Sequence, residues 1–80
     1  MARYYLHLNE CGTVTEDRDG VELATPADAR ELALQAARDL MSHEVKHGKL
    51  CLSCCIVIAD ASGRELDRMP FKEALRLSGL

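Results

Sequence analysis

The sequence predicts an α+β protein with the element order ββαββ and a short helical turn near the C-terminus. Three observations lead to this fold class. Residues 3–8 alternate between two faces, residues 25–48 form a capped segment with helical periodicity, and the apolar run 50–59 is followed by turn-forming residues. Strict alternation is typical of a strand, whereas a repeat of about 3.6 residues is typical of a helix.

The first predicted strand and its partner form a hairpin at the N-terminus. The apolar face of the first strand consists of Tyr4, Leu6 and Leu8. A turn at residues 9–12 contains asparagine and glycine, which tolerate the positive φ angles of tight turns. The β-branched and polar residues 13–17 are expected to return as an edge strand. Residues 18–20 then end this strand, and Val21 and Leu23 are expected to pack against the domain.

The helix is predicted to begin at Thr25-Pro26 and to end at Gly48. Thr25 can cap the helix with its hydroxyl, proline suits the first helical position, and Asp28 completes a capping box. Glycine is the usual left-handed residue after a helix. The predicted apolar stripe consists of Ala29, Leu32, Ala33, Ala36, Ala37, Leu40, Met41 and Val45. Its many alanines predict a close approach between the helix and the sheet.

The second hairpin is predicted from residues 50–59 and 64–68, joined by a turn at residues 60–63. Pro70 then opens a short helical turn. A right-handed crossover through the helix makes the second and third strands parallel to each other. If the first strand lies between them, every neighbouring pair is antiparallel, and the order of this four-stranded sheet is 2-1-3-4. The helix then covers one face, and the other face stays open.

Composition limits the possible functions. The 80 residues suit a single domain spanning residues 1–80, and their net charge of −3 argues against nucleic-acid binding. No signal peptide and no stretch of about 20 apolar residues is visible, so the protein is expected to be cytoplasmic with reduced thiols. Aromatic residues make up 4% of the chain, which predicts a thin core and favours a homodimer.

Several segments together carry a family resemblance. They are the aromatic first strand with His7, the segment DGVEL at 19–23, the helix start TPADARELALQAARDL, and the ending PFKEAL at 70–75. The chain resembles a family of short, mainly alphaproteobacterial proteins that is catalogued only as a domain of unknown function. The resemblance covers nearly the whole chain and implies no activity, ligand or catalytic residue. The chain departs from the family's usual pattern at its later cysteines, Cys51, Cys54 and Cys55.

A zinc site is one hypothesis for these cysteines. The order 2-1-3-4 places Cys11 near Cys51, at the sheet end where His47 closes the helix, and Cys54 follows shortly after. Sulfur and imidazole ligands in a tetrahedron suit Zn²⁺. Two observations oppose this hypothesis: both later cysteines would have to leave a strand, and Cys54 falls in register with the core. The alternative is that Cys54 is a small core residue.

The predicted position of the Cys51–Cys54 pair disfavours a redox role for it. Thiol activation usually depends on a helix N-terminus or on nearby positive charge, whereas this pair is predicted to begin a strand after a helix C-terminus. No combination of side chains indicates catalysis, so the sequence predicts neither an enzyme nor a resident cofactor other than the possible zinc.

The open sheet face is the favoured functional surface. The first strand contributes Tyr5 and His7, and the third strand contributes Ser53, Cys55 and Val57. Apolar residues in the centre with polar residues at the margin suit a protein interface. The alternative is an ordinary half-exposed sheet face, which antiparallel sheets tolerate. The sequence therefore predicts a small interaction or regulatory module that associates with itself or with a protein partner, with zinc binding as the alternative function.

Overall fold

The computed structural model describes residues 1–79 and confirms the α+β class, with one helix and an antiparallel sheet. The strands are β1 (Ala2–Glu10), β2 (Thr13–Thr15), β3 (Val21–Leu23), β4 (Cys55–Ala59) and β5 (Glu65–Pro70). The helix α1 spans Pro26–Lys46, and a 3₁₀ turn spans Phe71–Ala74. No helix within residues 1–79 is long and apolar enough to cross a membrane.

Strand β1 pairs with more strands than any other, since three strands lie along its two edges. Strand β4 pairs along one edge, from Tyr5↔Ala59 to Asn9↔Cys55, and β5 pairs with β4. The other edge is shared by β2 near the end of β1 and by β3 near its start. The sheet order is β2-β1-β4-β5, with β3 also on β1.

The predicted four-stranded sheet is therefore wrong in strand count and in the detail of its order, which omits β3. The Val21–Leu23 segment is too short to show a strand pattern by itself. It becomes a strand because β1 is nine residues long and β2 covers only one end of that edge.

Asp17 fills the gap that β2 and β3 leave along β1. The Leu6 amide donates to Asp17 Oδ2 at 3.2 Å, and the Gly20 amide donates to Oδ1 at 3.1 Å. The Asp17 amide in turn donates to His7 Nδ1 at 3.1 Å. Gly20 has a φ of +71°, and a Cβ on it would lie 2.9 Å from Tyr5 Cε1. The loop thus stays flat against β1 only with glycine at this position.

These hydrogen bonds also control the charge of Asp17. Partial burial opposes ionisation, but three donating backbone amides outweigh it and lower the pKa of Asp17. The carboxylate therefore replaces a strand partner at the middle of β1, where an unpaired amide would otherwise be left.

The helix lies on one face of the sheet through small side chains. Its N-terminus has the predicted capping box, in which the Asp28 amide donates to Thr25 Oγ1 at 3.2 Å and the Thr25 amide to Asp28 Oδ2 at 3.3 Å. Gly48, with a φ of +78°, ends it as predicted. The fully buried helix positions are Ala29, Ala33, Ala37 and Met41. Opposite them lie the inward residues of β4 and β5, which are Ile56, Ile58 and Met69.

The predicted apolar stripe is too wide. Leu32, Leu40 and Val45 are 40%, 37% and 57% exposed, whereas Leu34, which the pattern places on the polar side, packs against the core. The row of buried alanines brings the helix close to the sheet, so the larger side chains at the margins of the stripe do not fit between helix and sheet and stay exposed to solvent. Polar contacts hold the helix to the second hairpin, since Arg30 Nη1 lies 2.7 Å from Asp67 Oδ2.

The third predicted strand, over residues 50–59, is shorter than expected. Strand β4 begins only at Cys55, and Leu52 and Ser53 form a bend. The Cys54 carbonyl accepts a hydrogen bond of 2.9 Å from the Phe71 amide, which attaches the bend to the 3₁₀ turn. The chain therefore turns toward the end of β1 before it enters the sheet.

Replacing Asp17 by asparagine is expected to lower the free energy of unfolding at pH 7 by about 1–3 kcal/mol, because amides along β1 lose an ionised acceptor. A carboxylate with a lowered folded pKa stabilises the fold above its unfolded pKa of about 3.9 and stops doing so as the pH falls through the folded value. The difference between wild type and Asp17→Asn should therefore shrink below about pH 4.

Urea denaturation across a pH series measures this effect. The control is Asp19→Asn, which changes an exposed carboxylate in the same loop and should have little effect at any pH. An equal loss of stability for Asp17→Asn at pH 3 and pH 7 would contradict the assigned role.

Candidate metal centre

Cys11 lies in the two-residue turn between β1 and β2. Its φ is +51° and that of Gly12 is +94°, the combination that tight hairpin turns with a primed geometry require. Within residues 1–79, Cys11 is the only residue other than glycine with a positive φ. Such a conformation costs about 1–2 kcal/mol for most residues, and asparagine, aspartate or glycine would suit it better. The thiol therefore occupies a position that backbone preferences do not favour.

Cys51 and Cys54 lie on either side of the bend before β4. The pairing Asn9↔Cys55 sets the end of β1 against the start of β4, so this bend lies beside the turn that holds Cys11. Cys51 Sγ is 3.4 Å from Cys11 Sγ and 3.0 Å from Cys54 Sγ. All the sulfur atoms of this thiol cluster, defined as Cys11, Cys51 and Cys54, lie within 4.8 Å of one another.

Hydrogen bonds within the cluster affect the pKa values of its three thiols differently. Hydrogen bonds from the Cys54 and Cys11 thiols, with backbone amides in the bend, lower the pKa of Cys51. Burial, followed by the interaction with Cys51, raises the pKa of Cys54 to about 12. The hydrogen bond with Cys51 likewise raises the pKa of Cys11. Of the three thiols, Cys51 is therefore the most easily deprotonated.

The predicted ligand set is brought together only in part. Within residues 1–79, His47 does not join the thiol cluster. It is exposed, its Nδ1 lies 3.0 Å from the His43 carbonyl oxygen, and its ring packs 4.8 Å from the His43 ring. One of the two objections to a metal site is removed, because neither later cysteine belongs to a strand. Cys54 is 2% exposed and is part of the core as well as of the cluster.

The sulfur spacing fits a thiophilic metal ion after a small adjustment. With Zn–S bonds of about 2.3 Å, the sulfur atoms of a tetrahedral site lie about 3.8 Å apart. The shorter distances here, 3.0 and 3.4 Å, lie below this value, and the limit of 4.8 Å lies above it. Cys11 is exposed at a turn and Cys51 lies next to a bend, so both can shift without breaking a strand pairing.

The proposed interface residues lie mostly on the open sheet face. Tyr5, His7, Cys55 and Val57 are half-buried, and His7 pairs with Val57 across the centre. Ser53 is exposed but lies in the bend rather than on a strand. Ala59, which the sequence places on this face, is buried beside the register shift between Ile58 and Ala59.

A family comparison covers residues 3–72, which match the model of the family described as Domain of unknown function (DUF6894). The chain belongs to this family. The match confirms the resemblance seen in the sequence, while an alphaproteobacterial origin remains a prediction. No curated protein and no solved structure matches this DUF6894 chain.

Replacing Cys11 by asparagine is expected to raise the free energy of unfolding of the reduced, metal-free protein by about 1 kcal/mol, because asparagine tolerates a positive φ better. The Cys11→Ala control also removes the thiol but keeps the backbone strain, so it should be no more stable than wild type. Urea denaturation with a reductant and a chelator compares the three proteins. Equal stability of the two variants would show that strain at Cys11 is not significant.

Proposed function

We propose that this DUF6894 chain binds Zn²⁺ through the thiolates of Cys11, Cys51 and Cys54. The observation that supports this function is the convergence of their sulfur atoms within 4.8 Å, although Cys11 and Cys51 are 40 residues apart in the chain. Thiolate sulfur is a preferred ligand of zinc. The central Cys51 thiol, whose pKa is lowered by hydrogen bonds from Cys54 and Cys11, is the first ligand, and the metal displaces protons from the other two thiols.

The ligand set indicates an exchangeable rather than an enclosed metal. Structural zinc sites usually have four protein ligands, whereas sites with three leave a position for water or an outside ligand. Within residues 1–79, no histidine or carboxylate joins the three thiols. Cys11 is exposed, so the remaining position faces solvent on that side. Bound zinc would also join the β1–β2 turn to the bend before β4 and stabilise a core in which alanine predominates.

Metal titration tests the zinc site directly. Wild-type protein should bind one Co²⁺ or Zn²⁺ per chain, and the Co²⁺ complex should show the sulfur-to-metal absorption band of thiolate ligands. Cys51→Ser is expected to weaken binding at least about 100-fold, because it removes the ligand that contacts both other sulfurs. The loss should appear in a competition titration against a chromogenic chelator.

Two matched controls separate the ligands from their neighbours. Cys55→Ser changes a half-buried thiol next to the cluster, and His47→Ala changes the histidine that the structure leaves outside it. Both variants should bind zinc as wild type does. Unchanged affinity in Cys51→Ser, or loss of affinity only in His47→Ala, would refute the ligand set.

We also propose that the open sheet face associates with a second copy of the chain. Five of the twelve buried apolar residues in the described part of the chain are alanines, so burial of further apolar surface would strengthen a thin core. Tyr5 and Val57 form the apolar centre of the face, and Tyr5 stacks on His7 with ring centroids 6.4 Å apart. Rigid aromatic and aliphatic side chains of this kind suit the centre of an interface.

Val57→Asp is expected to shift a wild-type dimer to monomer, because the dimer would bury an unpaired charge at its centre. Sedimentation velocity at several protein concentrations measures the shift. The control Leu32→Asp places the same charge at a 40% exposed position on the helix and should leave the association unchanged. A wild-type protein that stays monomeric at high concentration would overturn this second proposal.

A further inference from the structure

We propose that Cys51 and Cys54 also form a reversible dithiol–disulfide couple, oxidised by a peroxide, that removes two of the three zinc ligands on oxidation. The consequence for the metal rests on the proposed zinc site. The chemistry itself involves only the two thiols and applies to the metal-free protein as well.

The two sulfur atoms are close enough to form a bond after a small movement. They are 3.0 Å apart, and a disulfide bond is about 2.05 Å long. The intervening Leu52 and Ser53 form a bend that belongs to no strand, so its adjustment breaks no sheet pairing. Cys54 is held through its carbonyl by the Phe71 amide at 2.9 Å, which leaves Cys51 as the sulfur that moves. The sequence predicts that this pair begins a strand, and the structure places it at a bend instead, although a helix C-terminus still precedes Cys51 as predicted.

Exposure assigns different roles to the two thiols. Cys51 is half-buried and open to a small oxidant, whereas Cys54 is 2% exposed. The Cys51 thiolate attacks one peroxide oxygen, the O–O bond breaks, and hydroxide leaves, which produces a sulfenic acid. The Cys54 sulfur then attacks the Cys51 sulfur and displaces its hydroxyl group. Two thiols and one hydrogen peroxide thus become one disulfide and two waters.

Neither of the other cysteines is an equally good partner for Cys51. Cys11 lies in the separate turn between β1 and β2, and its sulfur is farther from Cys51 Sγ than that of Cys54, at 3.4 Å against 3.0 Å. Cys55 is the first residue of β4, adjacent to Cys54, and is paired with Asn9. Cys54 is buried in the core, whereas Cys55 is half-buried on the open sheet face, so the Cys55 thiol lies outside the cluster.

Peptide mapping tests the couple on the reduced, metal-free protein. After treatment with one equivalent of hydrogen peroxide in the presence of a chelator, free thiols are alkylated and the protein is digested with trypsin. Cleavage after Lys49 and Arg64 places Cys51, Cys54 and Cys55 in one peptide, and Cys11 lies in a separate peptide that ends at Arg18.

The expected product is peptide 50–64 that has lost two hydrogens and carries one label, on Cys55. Dithiothreitol should restore three labels. Cys11→Ser and Cys55→Ser should form the same disulfide, and Cys51→Ser should not. A cross-link to the Cys11 peptide, a disulfide between different chains, or irreversible oxidation of Cys51 in place of the disulfide would overturn the proposal.

A second experiment separates this inference from the zinc site. Zinc-loaded protein is treated with the same oxidant, and released zinc is measured with a colorimetric indicator while the disulfide is quantified. One zinc released per disulfide supports both proposals. Disulfide formation in a protein that never binds zinc supports the thiol couple and refutes the zinc site, and zinc binding without disulfide formation does the reverse.

Discussion

The antiparallel pairing of β1 with β4 is the constraint on which the rest of the structure depends. Its register, which ends at Asn9↔Cys55, sets the β1–β2 turn beside the bend that precedes β4. The same pairing aligns Leu6 and Leu8 with Ile58 and Ile56, so the apolar face of the sheet is continuous beneath the helix. A slip of one residue would reverse every side chain of β1 and separate Cys11 from the other thiols.

The thiol cluster includes a position at which the backbone conformation would favour a residue other than cysteine. Cys11 has a positive φ that asparagine or glycine would adopt at lower cost. Cys54 packs in the core and at the same time donates a hydrogen bond to the Cys51 sulfur. Residues that depart from local preference concentrate at functional sites, which makes the cluster a more specific feature than a buried cysteine alone. Metal binding and disulfide formation both require the thiolate form of Cys51, whose pKa is lowered by the neighbouring thiols.

The open face and the thiol cluster are joined through two adjacent residues, Cys54 and Cys55. Cys55, the first residue of β4, belongs to the open face, while the adjacent Cys54 belongs to the core and the cluster. Asp17 connects the loop after β2 to β1, since its amide donates a hydrogen bond to His7 on the open face and its carboxylate accepts one from the Leu6 amide. Metal binding or oxidation at the bend would therefore affect Cys55, the first residue of β4, which is also part of the open face.

Local patterns in the sequence were sufficient for the helix, its capping box, the Gly48 end and the alternating face of β1, because each depends on neighbouring residues. Close approach of Cys11 to Cys51 followed from pairing the first strand with the third. Three features depended on tertiary contacts instead. Val21–Leu23 is a strand only because it pairs with a free edge of β1. The bend before β4 is fixed by the hydrogen bond from the Phe71 amide to the Cys54 carbonyl. His47 lies outside the cluster, and its Nδ1 lies 3.0 Å from the His43 carbonyl oxygen, a contact that residue spacing does not specify.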